Sequence, residues 1–233
     1  MKIKFLFIIS FLFISCATED VEVQLDAVVD GKYKTNVLIE DYTGAWCGYC
    51  PRIAKKIEDL WSSTSQRITP IAIHNRDAFS FAKEGDMRTK FWVASMGSVN
   101  WGFPSAIIDR SAKWNEQLSV VTDRIAIPST VGIALESSIK TRTLTLKAKV
   151  GFGADLSDLK LVVYLTENGL KADQANYDDF GYGTANPLVD FVHDNVLRAS
   201  LSDVFGDAID SSLSKNGEIF AKTYEYVIPD DYS

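Results

Sequence analysis

Val37-Leu38-Ile39-Glu40-Asp41-Tyr42-Thr43-Gly44-Ala45-Trp46-Cys47-Gly48-Tyr49-Cys50-Pro51 is the stretch on which the fold turns. Its first six residues are a short run rich in strand formers, closed by the turn residues Thr43-Gly44, and predict a buried strand. After the cysteines, Ile53, Ile57, Leu60 and Trp61 recur at i, i+4, i+7 and i+8. That is one face of a helix, with Pro51 tolerated in the first turn. Strand, Cys-x-x-Cys and helix therefore follow one another in that order.

Further along, Ile68 to His74 predicts a second strand. A helical stretch follows with Asp86 as its N-cap and Met87, Phe91 and Met96 along one side. Phe103-Pro104-Ser105 opens a strand ending near Arg110, and Trp114, Leu118, Val121 and Ile125 predict a final amphipathic helix. Beyond Pro128 the helical period disappears. Strand-like runs take over at 131–138, 141–152, 159–166, 196–201 and 219–228, and in the second of them Leu144, Leu146, Ala148 and Val150 alternate with Thr and Lys. This half reads as an antiparallel β-sandwich. Its runs fall short of the roughly seven strands of an immunoglobulin-like domain, and with the chain ending on Asp230-Asp231-Tyr232-Ser233 the sandwich reads as either lacking its last strands or being a shortened form.

At the other end, Lys2 and Lys4 precede an apolar run from Phe5 to Ile14, the pattern of a secretory signal. The run is too short for a membrane-spanning helix, which needs roughly 20 residues. The chain of 233 residues carries 24 Lys and Arg against 31 Asp and Glu, a net charge of −7. Removing the signal takes away two lysines and makes the balance more acidic. Nucleic acid is therefore an unsuitable partner, since phosphate binding needs a basic face.

The chemistry lies in the cysteine pair. A thiol at a helix N-terminus faces unpaired backbone N–H groups and the positive end of the helix dipole, which favour thiolate. Cys47 is the candidate nucleophile, and Cys50, one turn on, the resolving thiol that releases a mixed disulfide. A static disulfide and a zinc half-site are the other readings of Cys-x-x-Cys. A structural zinc site needs four ligands, and the chain adds only His74 and His193, far apart in sequence. No cofactor and no metal are expected.

Asp41 to Pro51 resembles the active-site segment of the thioredoxin superfamily, Trp46 included. The resemblance implies that Asp41 is a buried acid serving the proton of Cys50, where the residues alone also allow a surface carboxylate. It implies that Phe103-Pro104-Ser105 is a cis-proline loop which, with Trp46, helps to hold extended substrate. Gly48-Tyr49 departs from thioredoxin, lacking the proline between the cysteines. Phe13-Ile14-Ser15-Cys16 resembles a bacterial lipoprotein box, implying cleavage and lipidation at Cys16, with Phe13 in place of the usual aliphatic residue. Taken together, 37–52, 102–110 and His193-Asp194-Asn195-Val196-Leu197-Arg198 resemble the twenty-eight-kilodalton outer membrane protein family of Gram-negative bacteria. That likeness implies a lipid anchor at the outer membrane, on its periplasmic or surface face, and a thioredoxin-like domain followed by an immunoglobulin-like one.

The expected organisation is a signal peptide over 1–15, a lipid-anchored tether over 16–35, an α/β thioredoxin-like domain over 36–127 and an all-β sandwich over 129–233. The expected function is a thiol-disulfide oxidoreductase of the cell envelope with protein thiols or disulfides as clients and a separate redox partner. The alternative is a non-catalytic binding or adhesion lipoprotein on the same scaffold. His74 and His193 read as ordinary boundary or packing residues, and 171–190 as a solvated loop or an exposed binding loop.

Overall fold

The computed structural model describes residues 22–23, 31–92 and 102–232. The signal segment, Cys16, most of the 16–35 tether and Met96 lie outside the described residues. Among those described, no helix is long and apolar enough to cross a membrane.

Strand β1 (Glu22–Val23) precedes β2 (Val37–Thr43), α1 (Cys50–Ser63) and β3 (Ile68–His74). Strands β2 and β3 are parallel from Val37 opposite Ile68 to Thr43 opposite His74, with α1 as the crossover, a connection that parallel pairing requires. Both strands are buried runs, as covered parallel strands are. Helix α1 begins at Cys50 because Pro51 has no N–H to give to a preceding turn and suits a first-turn position.

The second helical stretch differs from expectation. Lys83, not Asp86, is the N-cap of α2 (Glu84–Met87), which passes into a π-helical turn over Arg88–Trp92. Strand β4 (Ser105–Ile108) pairs antiparallel with β2, and β5 (Ala112–Lys113) folds back on β4. Trp114 consequently lies ahead of α3 (Leu118–Ile125), not within it, and is buried in the core.

One sheet face carries Val37, Ile39 and Ile68 against Ile53, Ile57 and Leu60 of α1. The other carries Tyr42, Ile71, Ile73 and Ile107 against Met87 and Phe91. Alternation along β2 therefore points Asp41 toward α1 and Glu40 away from it.

Beyond residue 128 come β6 (Val131–Lys140), β7 (Thr143–Phe152), β8 (Lys160–Leu161), β9 (Tyr164–Glu167) and β10 (Leu170–Gln174). They are followed by β11 (Leu188–His193), β12 (Val196–Ser200), β13 (Asp207–Ala208) and β14 (Ile219–Val227). Strands β1, β6, β7 and β14 form an antiparallel sheet. The expected face of β7, Leu144, Leu146, Ala148 and Val150, packs with Leu161, Val163 and Tyr224.

The molecule is thus mixed α/β, with a central sheet and further antiparallel sheets. One expectation needs correction: a sandwich with two facing sheets of its own beyond 128. Strands β9 and β12 belong to the central sheet, whose order is β5-β4-β2-β3-β12-β9. The open edge of β3 would otherwise leave a buried strand with unpaired backbone groups. Val196 pairs with Ala72, and the Ala72 N–H donates to Asn195 O at 2.8 Å.

A charge cluster secures the join. Glu40 is fully buried, and Arg110 donates to its Oε1 from Nε and Nη2 at 2.9 and 2.8 Å and to Tyr164 Oη of β9 at 2.7 Å. Burial pushes the Glu40 carboxyl up, opposed by the guanidinium. Removing one partner of a buried pair leaves an uncompensated charge. Arg110→Met is expected to lower the unfolding free energy in urea by about 3–5 kcal/mol, and adding Glu40→Leu to it should recover most of that loss.

Candidate functional site

Strand β2 runs into a turn whose backbone is tied at each step. The Cys47 N–H donates to Gly44 O at 2.9 Å and the Cys50 N–H to Cys47 O at 3.1 Å. Cys47 and Cys50 are joined as a disulfide, with Cα atoms 5.4 Å apart, and are only 4% and 2% exposed. The first turn of α1 has neither a side-chain cap nor an acidic residue, so its N–H groups keep their positive field for the pair.

Trp46 donates from Nε1 to Asn75 O at 2.6 Å and meets the Phe103 ring at 5.2 Å. A side chain at Gly44 would strike that indole, since a Cβ there would lie 2.6 Å from Nε1. Glycine is what lets Trp46 fold back over the turn. The Phe103–Pro104 peptide is cis, as is Asn186–Pro187. Trp46, Phe103 and the cysteine turn are thus brought to one place.

His74 departs from the boundary role expected of it. It is 1% exposed, and its Nδ1 lies 2.7 Å from Asp77 Oδ2, which also accepts from the Ala45 N–H at 2.8 Å. Burial works to raise the Asp77 carboxyl, but the His74 contact and backbone donors outweigh it and hold the group low. The end of β3 is by this route bound to the cysteine turn.

Behind the disulfide is a cavity of about 530 Å³, lined by Cys50, Asp41, His74, Gln174, Phe191 and His193 among others. Asp41 is 4% exposed, and its Oδ1 has no hydrogen-bond partner among the described residues. It is the buried acid of the two readings. Burial pushes its carboxyl up to about 8, so at neutral pH it is chiefly protonated. His193 is buried against His74 at 5.1 Å between ring centres. Burial, then the neighbouring His74, lowers it to about 4, so it is neutral. Its Nε2 is also unpartnered among the described residues.

The segment 171–190 corrects the sequence reading. Its ends form the antiparallel hairpin β10–β11, and its tip lies on the cysteine turn. Gln174 Nε2 donates to Cys47 O at 3.0 Å, the Ala175 N–H to Ala45 O at 2.8 Å and the Tyr177 N–H to Gly48 O at 2.9 Å. Tyr177 meets Tyr49 edge to face at 5.2 Å, and Tyr182 donates to Glu58 on α1. The tip is shaped internally by Asn176, which donates to Gly183 O and Ala185 O, and by Asp179 Oδ1, which accepts from the Gly181 and Gly183 N–H groups. Alternation in 170–174 and 188–193 could have disclosed the hairpin. Nothing local could have named its target.

No group of three or more His, Cys, Asp or Glu among the described residues is placed to hold a metal ion. The arrangement is a cysteine pair at a helix N-terminus beside a neutral buried carboxyl, which is suited to thiol-disulfide exchange coupled to proton transfer.

The family model described as Outer membrane protein Omp28 matches residues 98–233, a span that contains Phe103, Pro104 and the hairpin but not the cysteines. HBP35 of Porphyromonas gingivalis is similar in structure, with 26% identity and a TM-score of 0.63, covering 84% of this chain and 65% of that one. The chain therefore spans somewhat under two thirds of that protein's length. Protein AGR_C_4864 of Agrobacterium tumefaciens matches at 12% identity with a TM-score of 0.55, covering 82% of this chain and 79% of that one, and shares the fold alone. No curated protein matches the chain.

Asp41 gives a pH signature. An unfolded chain releases its proton near pH ~3.9, whereas the folded chain keeps it to about 8. Stability attributable to this group is complete below about pH 4, falls as pH rises to about 8 and is level above. Asp41→Asn is expected to match wild type near pH 4 and to exceed it at pH 8 by roughly 2–4 kcal/mol in urea unfolding. A difference that stays constant across this range would mean that the carboxyl ionises normally in the folded chain.

Proposed function

The chain belongs to the Omp28 outer membrane protein family and is on that ground a cell-envelope protein, from which premise we propose that it is a thiol-disulfide oxidoreductase acting on envelope protein clients. In this reading 36–127 is a thioredoxin-like domain with an added edge from β9 and β12, and 129–233 is the β-rich half, whose own core is the β6–β7–β14 sheet. The signal peptide and the lipid on Cys16 deliver the protein to the outer membrane. The observation that carries the redox reading is the Cys47–Cys50 disulfide at the uncapped start of α1 with Asp41 buried behind it.

Starting from the disulfide, a client thiolate attacks Cys47 Sγ, the Cys47–Cys50 bond breaks and a client–Cys47 bond forms. Cys50 leaves as thiolate and takes up the proton that Asp41 holds at neutral pH. A second client thiolate then displaces Cys47, leaving an oxidised client and a reduced pair, which the redox partner reoxidises. Run backwards, Cys47 thiolate attacks a client disulfide and Cys50, deprotonated toward Asp41, resolves it. Phe103-Pro104 with Trp46 supplies the extended-substrate contact.

The burial of both sulfurs favours a second reading, a static disulfide in a binding lipoprotein. A reduction potential below about −300 mV marks such a structural bond, and a less negative one the redox pair. On the redox reading, iodoacetamide alkylation of the reduced protein has its midpoint below that of a free cysteine, pKa ~8.5, and Cys50→Ser traps client proteins as mixed disulfides from an envelope extract. A midpoint at or above the free value would remove Cys47 as nucleophile.

A further inference from the structure

The carbonyl oxygens of Gly44, Ala45, Cys47 and Gly48 make a row of acceptors along the turn that carries the disulfide, and the chain fills that row with a piece of itself. Ala175 and Tyr177, two residues apart and just past the end of β10, aim their backbone N–H groups at the carbonyls of Ala45 and Gly48. Between these anchors the Tyr177 ring settles on Gly48, where any Cβ would lie 2.4 Å from it, and against Tyr49. The dipeptide between the cysteines thereby has a structural reason: glycine leaves room for the ring, and tyrosine flanks it.

Tyr177 stays 61% exposed although Gln174 and Asn176 just ahead of it are buried, and a contact with so exposed a ring opens locally at low free-energy cost. Exchange meanwhile demands access, because an incoming sulfur has to reach Cys47 Sγ in line with the bond it breaks, and Cys47 is 4% exposed.

We propose that the acceptor row of the cysteine turn is the seat for an extended client segment bearing an aromatic side chain, and that residues 175–177 occupy it as an intramolecular stand-in. The partner is a polypeptide strand whose alternate N–H groups replace those of Ala175 and Tyr177, a recognition mode that takes affinity from backbone and selectivity from one side-chain pocket. The inference rests on the redox reading of the pair and adds to it a surface distinct from the Phe103-Pro104 contact.

Two variants lift the stand-in without touching the cysteines. Tyr177→Ala removes the exposed ring, and Ala175→Pro removes the N–H that reaches Ala45. Reduction of the disulfide by a water-soluble phosphine is expected to be about tenfold faster in each than in wild type, equivalent to about 1.4 kcal/mol of docking. A fluorescently labelled peptide with the sequence of residues 172–180 is expected to bind both variants and not wild type, and its Tyr-to-Ala version to bind none of them. Unchanged reduction rates in both variants, or no peptide binding to either, overturns the proposal. An alkylation midpoint equal to that of a free cysteine, with peptide binding intact, would instead remove the redox reading and leave the seat standing.

Discussion

The need to pair the second edge of the strand Ile68–His74 is the constraint on which the rest of the molecule hangs. A parallel strand buried on both faces cannot leave its backbone groups open at an edge. The chain answers with Val196–Ser200, brought back from more than a hundred residues away to pair at Ala72. That strand is the return arm of a segment that has already crossed β9, β10 and β11. Once it is fixed against β3, His193 comes to lie beside His74 and the β10–β11 hairpin has little choice but to lie across α1 and the cysteine turn.

Neighbouring carboxyls on β2 show how one strand buries two acids in different company. Glu40 and Asp41 point to opposite faces. Glu40 meets Arg110, whose ring neighbour Phe91 lies 4.2 Å away, and serves the join between the halves. Asp41 Oδ1 has no hydrogen-bond partner among the described residues, and burial raises its carboxyl to about 8. A buried acid with a partner ties elements together, whereas burial without one raises the pKa of the acid and favours its protonated form. The same contrast separates Asp77, held low by His74 and backbone donors, from Asp41.

What could be read from the sequence was what local rules write. The order of strand, Cys-x-x-Cys and helix follows from period and proline placement, and so does the inward face of β7, because each depends on residues within a turn or two. The spacing of Trp114 to Leu118 mimics a helix, but Ala112–Lys113 turns back as an edge strand and leaves Trp114 ahead of α3. The edge pairing by β12, the neutral state of His193 and the target of Tyr177 were not legible. Each is decided by what lies across space from it, and a loop rich in Asp, Gly and Tyr has the same composition whether it faces water or a helix terminus. Gly48-Tyr49 was visible as a departure from thioredoxin, and only the ring resting on it supplies the reason.

The distance along the chain between the turn and its cover has a consequence for how the protein is made. Cys47 and Cys50 are three residues apart and can meet as soon as α1 forms, whereas Gln174 reaches Cys47 across a separation of 127 residues. Contacts that close so long a loop form late, after the entropy of closure has been met by the strands between. The disulfide is therefore free to form on an uncovered turn while the chain is still folding, and the hairpin arrives afterward over chemistry already done. The bond thus forms in surroundings different from those it has in the folded chain, where Gln174, Ala175 and Tyr177 lie on the turn that carries it.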